Sequence, residues 1–445
     1  EEEAGEMTDK MQVNLRQVAM EILYEVQKNN GLLHVVLSDA LKKYQYLDKN
    51  ERSFISRLVQ GTEERKIELD YIIDSFSKTP VKKQKDVIRI ILEMSVYQLK
   101  YMDSVPASAV CNEAVKLAVK KNFGTLRGFV NGVLRNIARN IDNIEYPDKS
   151  TNTDKYLSVK YSVPEELAGY FLKKFGDNET EEMFEAFNKD KSTYIRCNTK
   201  KTDIAGLTAA LEAEGVTVTN EGIDKRIDYA LKISGYDYLG GLKSFRDGLF
   251  FVQDISSMLA SQGGFIKRDA YVIDVCAAPG GKSINAALMA DIGHVSSRDI
   301  SGRKVSLIKE NAERLGIDNI TYKVWDAVKK DEESVEKADV LICDLPCSGL
   351  GIIGRKPDIK YNASPEKLQS LVDLQRDILK VVSRYVKSGG VLMYSTCTIN
   401  RAENEDNADW ICKELGFTKD GEYHQLLPAN NSGMDGFFVA RLIKN

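Results

Sequence analysis

The stretch Y-V-I-D-V-C-A-A-P-G-G-K-S, residues 271–283, decides the fold of the C-terminal half. An apolar run leads into small residues and then into a helical pattern. Small residues let the backbone approach a ligand, and a helix N-terminus offers unpaired N–H groups. The stretch is neither a G-x-x-x-x-G-K phosphate loop nor a G-x-G-x-x-G fingerprint. It predicts a ligand-binding turn, with a plain strand–helix turn as the alternative.

Strands and helices alternate on both sides of this turn, from about residue 248 onward. We predict strands at 271–275, 293–297, 320–325, 340–343 and 390–394. Helices are predicted between them, for example at 302–315 and 364–386. This order indicates an α/β domain with a mostly parallel, doubly wound sheet, which binds ligands beyond the carboxyl ends of its strands.

Acidic residues end successive predicted strands. Asp299 follows Asp274 by 25 residues, the spacing of acids that bind ribose hydroxyls in nucleotide-binding sheets. Asp326 and Asp344 end the next two strands. A single acid at such a place is usually a helix cap, whereas three indicate a cofactor that carries a sugar and a base.

Two cysteines lie in loops on the same side of the sheet. Cys347 belongs to D-L-P-C-S-G-L-G, residues 344–351, which continues to R-K-P-D-I-K, residues 355–360, and Cys397 belongs to Y-S-T-C-T, residues 394–398. A cysteine is usually a small buried apolar residue, but two beside one site suggest chemistry. We predict no metal, because Cys343 and Cys347 straddle a strand end and the three histidines are scattered.

Residues 15–139 have helical periodicity and predict an all-helical domain. Residues 11–140 hold 21 Lys and Arg against 14 Asp and Glu, a net charge of +7. This charge indicates a contact with RNA, DNA or another polyanion, or simply a solvated surface. The first interpretation requires a common face for the basic residues Lys120, Lys121, Arg127, Arg135 and Arg139.

The 445 residues, 43% hydrophobic and 29% charged, predict about three domains. We predict a tail at 1–10, a helical domain at 11–142, a linker at 143–155, a small α/β module at 156–240 and the large α/β domain at 241–445. The module has a helical stretch at 164–188, strands at 194–198, 216–219 and 229–233, and a helix at 203–214 capped by Asp203 and Gly215. The chain has no long apolar run and an odd number of cysteines, seven, so we expect a cytoplasmic protein without membrane contact.

Two parts of the chain resemble known families. The helical part resembles the NusB-like RNA-binding fold through Arg16, Ala19 and Leu23, N-E-A-V-K-L-A at 112–118 and G-F-V-N-G-V-L-R at 128–135. The last 200 residues resemble Rossmann-like S-adenosylmethionine-dependent methyltransferases of the NOL1/NOP2/Sun family, through D-x-C-A-A-P-G-G-K, D-x-P-C-S-G and Y-S-T-C. Together the resemblances cover about residues 11–445.

The resemblance implies methyl transfer from S-adenosylmethionine to C5 of a cytosine in 16S ribosomal RNA, the one conventionally numbered 967. It implies that Cys397 adds to C6 as the nucleophile, that Cys347 assists release, and that Asp344 contacts the base near N3. It places Asp299 at the ribose and Asp326 at the adenine. The methionine part of the cofactor would lie among Cys276, Ala277, Ala278, Pro279, Gly280, Gly281 and Lys282.

Covalent catalysis explains the need for a thiol, because a thiolate added to C6 makes C5 nucleophilic. Lys282, Arg355 and Lys360 are the basic residues that could lower the thiol pKa values.

We expect a monomer. The alternatives are a transfer RNA cytosine methyltransferase and a non-catalytic RNA-binding assembly factor. A DNA-type arrangement would make Cys347 the nucleophile, and the second cysteine argues against it.

Overall fold

The computed structural model describes residues 13–29, 31–189, 191–223, 227–262, 266–428 and 434–445. The predicted tail at 1–10 lies outside these residues. The chain packs into two compact units. One comprises Glu1–Gly176 with Lys356–Tyr361, and the other comprises Asp177–Arg355 with Asn362–Asn445. We call them the helical unit and the sheet unit.

The helical unit confirms the predicted all-helical part. Asn14 caps the first helix by accepting from Gln17 N, and the face carrying Ala19 and Leu23 is fully buried. Apolar faces of the other helices up to residue 140 complete one core. The helices are α1 (Leu15–Lys28), α2 (Leu33–Lys43), α3 (Lys49–Glu64), α4 (Lys66–Phe76), α5 (Asp86–Tyr101), α6 (Ala107–Lys120), α7 (Arg127–Asn140), α8 (Thr153–Tyr161) and α9 (Glu165–Phe175).

Helix α8 corrects the predicted linker at 143–155. It begins at Thr153, because the Asn152 side chain accepts from Lys155 N and caps it. Its residues Leu157 and Val159 are buried, and the helix lies against the neighbouring helices α4 and α9. The helix has almost no amphipathic periodicity, so the sequence pattern does not reveal it.

The segment Lys356–Tyr361 belongs to the helical unit although it lies far along the chain. Lys360 is buried and donates to Glu64 O at 2.6 Å, at the C-terminus of α3. Asp358 accepts from Leu33 N at 3.4 Å, at the N-terminus of α2. The segment thus brings an amino group to a helix C-terminus and a carboxylate to a helix N-terminus, and the helix dipoles favour this arrangement.

The sheet unit begins with a small antiparallel sheet in the order β2-β3-β1-β4. The predicted helix is present, and Asp203 caps it by accepting from Gly206 N. Strand β4 is only three residues long, and the sequence pattern does not predict it. The elements are α10 (Asp177–Phe187), β1 (Thr193–Cys197), α11 (Ile204–Ala213), β2 (Thr217–Thr219), β3 (Ala230–Ser234), α12 (Lys243–Arg246), β4 (Phe250–Val252) and α13 (Ile255–Gln262).

The large sheet has the strand order β10-β12-β9-β8-β5-β6-β7, with β11 beside β12. Strands β5 to β9 pair in parallel, and β10, β11 and β12 are antiparallel. The elements are β5 (Tyr271–Asp274), α14 (Gly281–Met289), β6 (His294–Asp299), α15 (Gly302–Leu315), β7 (Ile320–Val324), β8 (Ala338–Asp344), α16 (Pro365–Val382), β9 (Val386–Thr396), α17 (Glu405–Leu415), β10 (Phe417–Lys419), β11 (His424–Leu426) and β12 (Phe437–Lys444).

The predicted α/β fold of this part is confirmed, although several element boundaries shift. The helix predicted to reach residue 386 ends at Val382, and β9 already starts at Val386. Val386 pairs with Ala338, and the register then shifts before Val391 pairs with Val340. Gly389, at φ +74°, lies in this irregular stretch. The glycines that resemble a turn in the sequence therefore form a bulge within a strand.

Candidate active site

The carboxyl ends of the parallel strands bring the predicted acids to one edge of the large sheet. Asp274 ends β5, Asp299 ends β6 and Asp344 ends β8. Asp299 and Asp344 border a cavity of about 370 Å³. The cavity is lined by Val275, Cys276, Ala278, Asp299, Ile300, Lys304, Trp325, Asp326, Ala327, Val328, Asp344, Leu345, Pro346, Cys347, Leu374, Ile378 and Cys397.

A second cavity, of about 180 Å³, adjoins the first and shares three of its residues, Cys276, Ala278 and Asp344. It is lined by Phe251, Val252, Gln253, Asp254, Ser257, Asp274, Cys276, Ala277, Ala278, Pro279, Gly281, Lys282 and Asp344. Of the twelve residues predicted for the site, only Gly280 borders neither cavity.

The turn before α14 is shaped for close approach of a ligand. Gly280 has φ +106°, a conformation that side-chain-bearing residues rarely adopt. No side chain caps α14, so its N-terminal N–H groups face the turn. Asp274 accepts from Ser283 Oγ at 2.7 Å through Oδ2, whereas its Oδ1 is buried and has no partner within the described chain. Burial raises the pKa of Asp274 to about 7.

Asp299 and Asp326 lie on the wall of the larger cavity. Asp299 Oδ2 accepts from Ala278 N at 3.3 Å, which ties the end of β6 to the turn. Lys304 Nζ lies 3.5 Å from Asp299 Oδ1. Asp326 Oδ1 accepts from Val328 N at 3.2 Å. Both carboxylates keep acceptor capacity beside exposed apolar neighbours, an arrangement that suits a ligand with hydroxyl groups and a flat base.

Asp344 is held by side chains on both sides. Lys282 Nζ donates to its Oδ2 at 2.7 Å, and Ser395 Oγ donates to its Oδ1 at 2.9 Å. Lys282 also lies 3.2 Å from Ser257 Oγ and 5.1 Å from the centre of the Phe437 ring. The carboxylate is therefore fixed at the point shared by the two cavities.

The two loop cysteines meet. Cys347 Sγ lies 3.3 Å from Cys397 Sγ, on the wall of the larger cavity. The hydrogen bond with Cys397, together with burial, raises the pKa of Cys347 well above that of an ordinary thiol. In this contact either sulfur can be the donor.

Glu403 holds the loops of both cysteines together. It is fully buried, and it accepts from Ser348 N at 2.8 Å and from Ser348 Oγ at 2.5 Å. Gln375 Nε2 and Asn400 Nδ2 donate to it at 3.0 and 2.9 Å. Glu403 stands six residues after Cys397, but its role depends on contacts across the fold that spacing does not reveal.

The three basic residues that could lower the thiol pKa values do not lower that of Cys347. Lys282 pairs with Asp344, and Arg355 pairs with Asp254 and Asp435 at 2.7 and 2.6 Å. Lys360 is buried in the helical unit, and this burial lowers its own pKa to about 7. Each cation is thus occupied elsewhere, and the pKa of Cys347 is raised rather than lowered.

In the helical unit, two of the predicted basic residues share one face. Arg135 and Arg139, one turn apart, lie on the side of α7 opposite its buried apolar residues, and Arg127 is exposed at the first residue of the helix. Lys120 is exposed at the end of α6, whereas Lys121 is half-buried and bonds Glu21 at 2.7 Å. The face is therefore built by α7, and Lys121 is already neutralised by Glu21.

Across the residues that the structure describes, no helix is long and apolar enough to cross a membrane. Within the same residues, His, Cys, Asp and Glu side chains form no group that could hold a metal ion.

Two family models match separate parts of the chain. Residues 266–443 match the family model described as 16S rRNA methyltransferase RsmB/F, and residues 13–139 match the NusB family. Both resemblances drawn from the motifs are confirmed.

Whole-length relatives agree with these matches. The chain is 35% identical to the probable ribosomal RNA small subunit methyltransferase B of Bacillus subtilis, over 97% of this chain and 99% of that protein. It is 28% identical to the ribosomal RNA small subunit methyltransferase B of Proteus mirabilis, over 98% and 100% of the two chains. The crystal structure of PH0851 has a TM-score of 0.80 at 26% identity and covers 97% of this chain and 99% of its own.

Proposed function

The chain belongs to the 16S rRNA methyltransferase RsmB/F family, and we propose that it methylates C5 of a specific cytosine in 16S ribosomal RNA, at position 967, using S-adenosylmethionine. The observation that carries this proposal is the pair Cys347 and Cys397, 3.3 Å apart on a cavity bordered by Asp299, Asp326 and Asp344.

The residues of the two cavities fit S-adenosylmethionine. Asp299 would bind the ribose and Asp326 the adenine, while the turn at 276–282 would surround the methionine part. The unpaired buried Oδ1 of Asp274 is an acceptor for an ammonium group. When bound, the cofactor supplies the methyl group.

The thiols divide the remaining work. Cys397 adds as a thiolate to C6 of the base, which makes C5 nucleophilic while N3 takes up a proton from water. Asp344, fixed by Lys282 and Ser395, accepts a hydrogen bond from the protonated N3. After methyl transfer, the C5 proton is lost to water, which restores the C5–C6 double bond and expels the Cys397 thiolate. Cys347, which keeps its proton, stands beside the sulfur that must later leave. Glu403 holds the Cys347 loop in place through Ser348.

The basic face of α7 would supply affinity for the phosphate backbone of the RNA. A transfer RNA substrate is the second candidate for the same chemistry, but the NusB match favours ribosomal RNA. Bisulfite sequencing of ribosomal RNA from cells with and without the gene tests the proposal. We expect one 16S cytosine to resist conversion only when the gene is present. Identical conversion in both, with a transfer RNA position that differs, would contradict it.

A further inference from the structure

The smaller cavity contains a buried acceptor without a partner. Gln253 follows β4, is only 6% exposed and lines this cavity. Its side-chain oxygen Oε1 is buried and has no hydrogen-bond partner in the part of the chain that the structure describes. Because buried polar atoms are nearly always paired, such an atom on a cavity wall indicates a ligand that donates a hydrogen bond.

Hydrogen bonds fix the orientation of this amide. Gln253 Nε2 donates to Ser257 Oγ at 3.2 Å, so the amide presents its carbonyl oxygen as the free acceptor. Ser257 also accepts from Lys282 Nζ at 3.2 Å, and Lys282 donates to Asp344 at 2.7 Å. These contacts connect Gln253 through Ser257 and Lys282 with Asp344, the carboxylate that borders both cavities. A base bound beside Asp344 would therefore lie against the polar wall that includes Gln253.

We propose that Gln253 is a specificity-determining residue that accepts a hydrogen bond from the exocyclic amine of the target pyrimidine. The inference rests on the proposed function. Cytosine carries an amine donor at this position, whereas uracil carries a carbonyl acceptor. An oriented acceptor binds the first and rejects the second, because a uracil would leave two acceptors facing each other.

The α-ammonium group of S-adenosylmethionine has the same donor chemistry. The unpaired carboxyl oxygen of Asp274 on the same wall is the better match for an ammonium group. A neutral amide matches a neutral amine. The experiment therefore measures cofactor affinity and base selectivity separately.

The test removes the residue and the base amine together. Methyl transfer is measured with a 16S RNA fragment that carries cytosine at the target, and with the same fragment carrying pyrimidin-2-one, which lacks the amine. Both are assayed with the wild type and with Gln253→Met, a substitution of similar volume. Gln369→Met, on the exposed side of α16, is the matched control. Different intrinsic reactivities of the two bases cancel in the comparison.

The measured quantity is the ratio of the methyl-transfer rate on the cytosine RNA to the rate on the pyrimidin-2-one RNA. We expect this ratio to be roughly 10–100 times larger for the wild type than for Gln253→Met, which is the range for a buried acceptor left unpaired. Gln369→Met should retain the wild-type preference, and calorimetry should give unchanged cofactor affinity for both variants.

Equal preference in the wild type and Gln253→Met would overturn the inference, and a matching loss of cofactor affinity would then assign the amide to the ammonium group. A wild type without activity on the cytosine RNA would instead refute the proposed function itself.

Discussion

Substitution of Glu403 by glutamine tests whether this carboxylate fixes the catalytic loops. Glu403 Oε1 accepts from Ser348 Oγ and Asn400 Nδ2, and Oε2 accepts from Ser348 N and Gln375 Nε2. In glutamine, an NH₂ group, which donates hydrogen bonds, takes the place of one of these accepting oxygens. The better orientation puts this nitrogen at the Oε1 position, because the Ser348 hydroxyl can rotate and accept a hydrogen bond from it. The Asn400 amide, which donates to the same position, must either flip or lose its hydrogen bond.

The magnitude follows from these contacts. At least one hydrogen bond to a charged group is lost, worth about 1.5–3 kcal/mol, and a buried donor is left facing another donor. We expect the free energy of unfolding of the sheet unit to fall by about 2–5 kcal/mol. Methyl transfer should fall as well, because the Cys347 loop loses its attachment.

Tryptophan fluorescence during urea unfolding measures this loss selectively, because both tryptophans of the chain, Trp325 and Trp410, lie in the sheet unit. Glu414→Gln, at an exposed position of α17, is the control. A loss below about 0.5 kcal/mol for Glu403→Gln, the range of ordinary surface substitutions, together with normal activity, would refute the positioning role.

Three further outcomes are expected. Asp299→Ala should weaken cofactor binding by about 1.5–3 kcal/mol, and unchanged calorimetric affinity would remove Asp299 from the site. Replacing Arg127, Arg135 and Arg139 by glutamine should weaken RNA binding and should leave cofactor affinity unaffected. The slope of log affinity against log salt concentration should become shallower by about 2–3. An unchanged slope would show that these arginines do not contact the RNA. Burial, reinforced by Asp70, raises the pKa of Glu93 to about 8. Between about pH 4.5 and pH 8 the folded state therefore holds a proton that the unfolded state has released. The free energy of unfolding should fall as pH rises through this range, by at most about 1.4 kcal/mol per pH unit. Glu93→Gln should flatten this decline in circular dichroism melts, and an unchanged profile would contradict the assignment.

Local signals predicted most of the fold. Helix α15 has the bounds expected from its periodicity, residues 302–315, and the five predicted strands of the large sheet are all present. The boundaries that shifted depend on non-local pairing. The strand at Val386 exists because Ala338 lies beside it, and a glycine-containing bulge continues it.

The site was predictable to the extent that its residues follow strands. Asp299, Asp326 and Asp344 meet because parallel strands end at one edge. Gln253 and Glu403 were not predicted, since their roles depend on contacts between distant segments. Lys360 shows the opposite error, because proximity to Cys347 in sequence suggested an influence that its burial in the helical unit does not support.

The central claim is that Cys397 attacks the base and Cys347 assists its release. Denaturing electrophoresis of the protein incubated with its RNA and S-adenosylmethionine tests this most directly. Cys347→Ala should accumulate a stable protein–RNA adduct, whereas Cys397→Ala and the double variant should form none. An adduct with Cys397→Ala, and none with Cys347→Ala, would contradict the assignment of the two thiols.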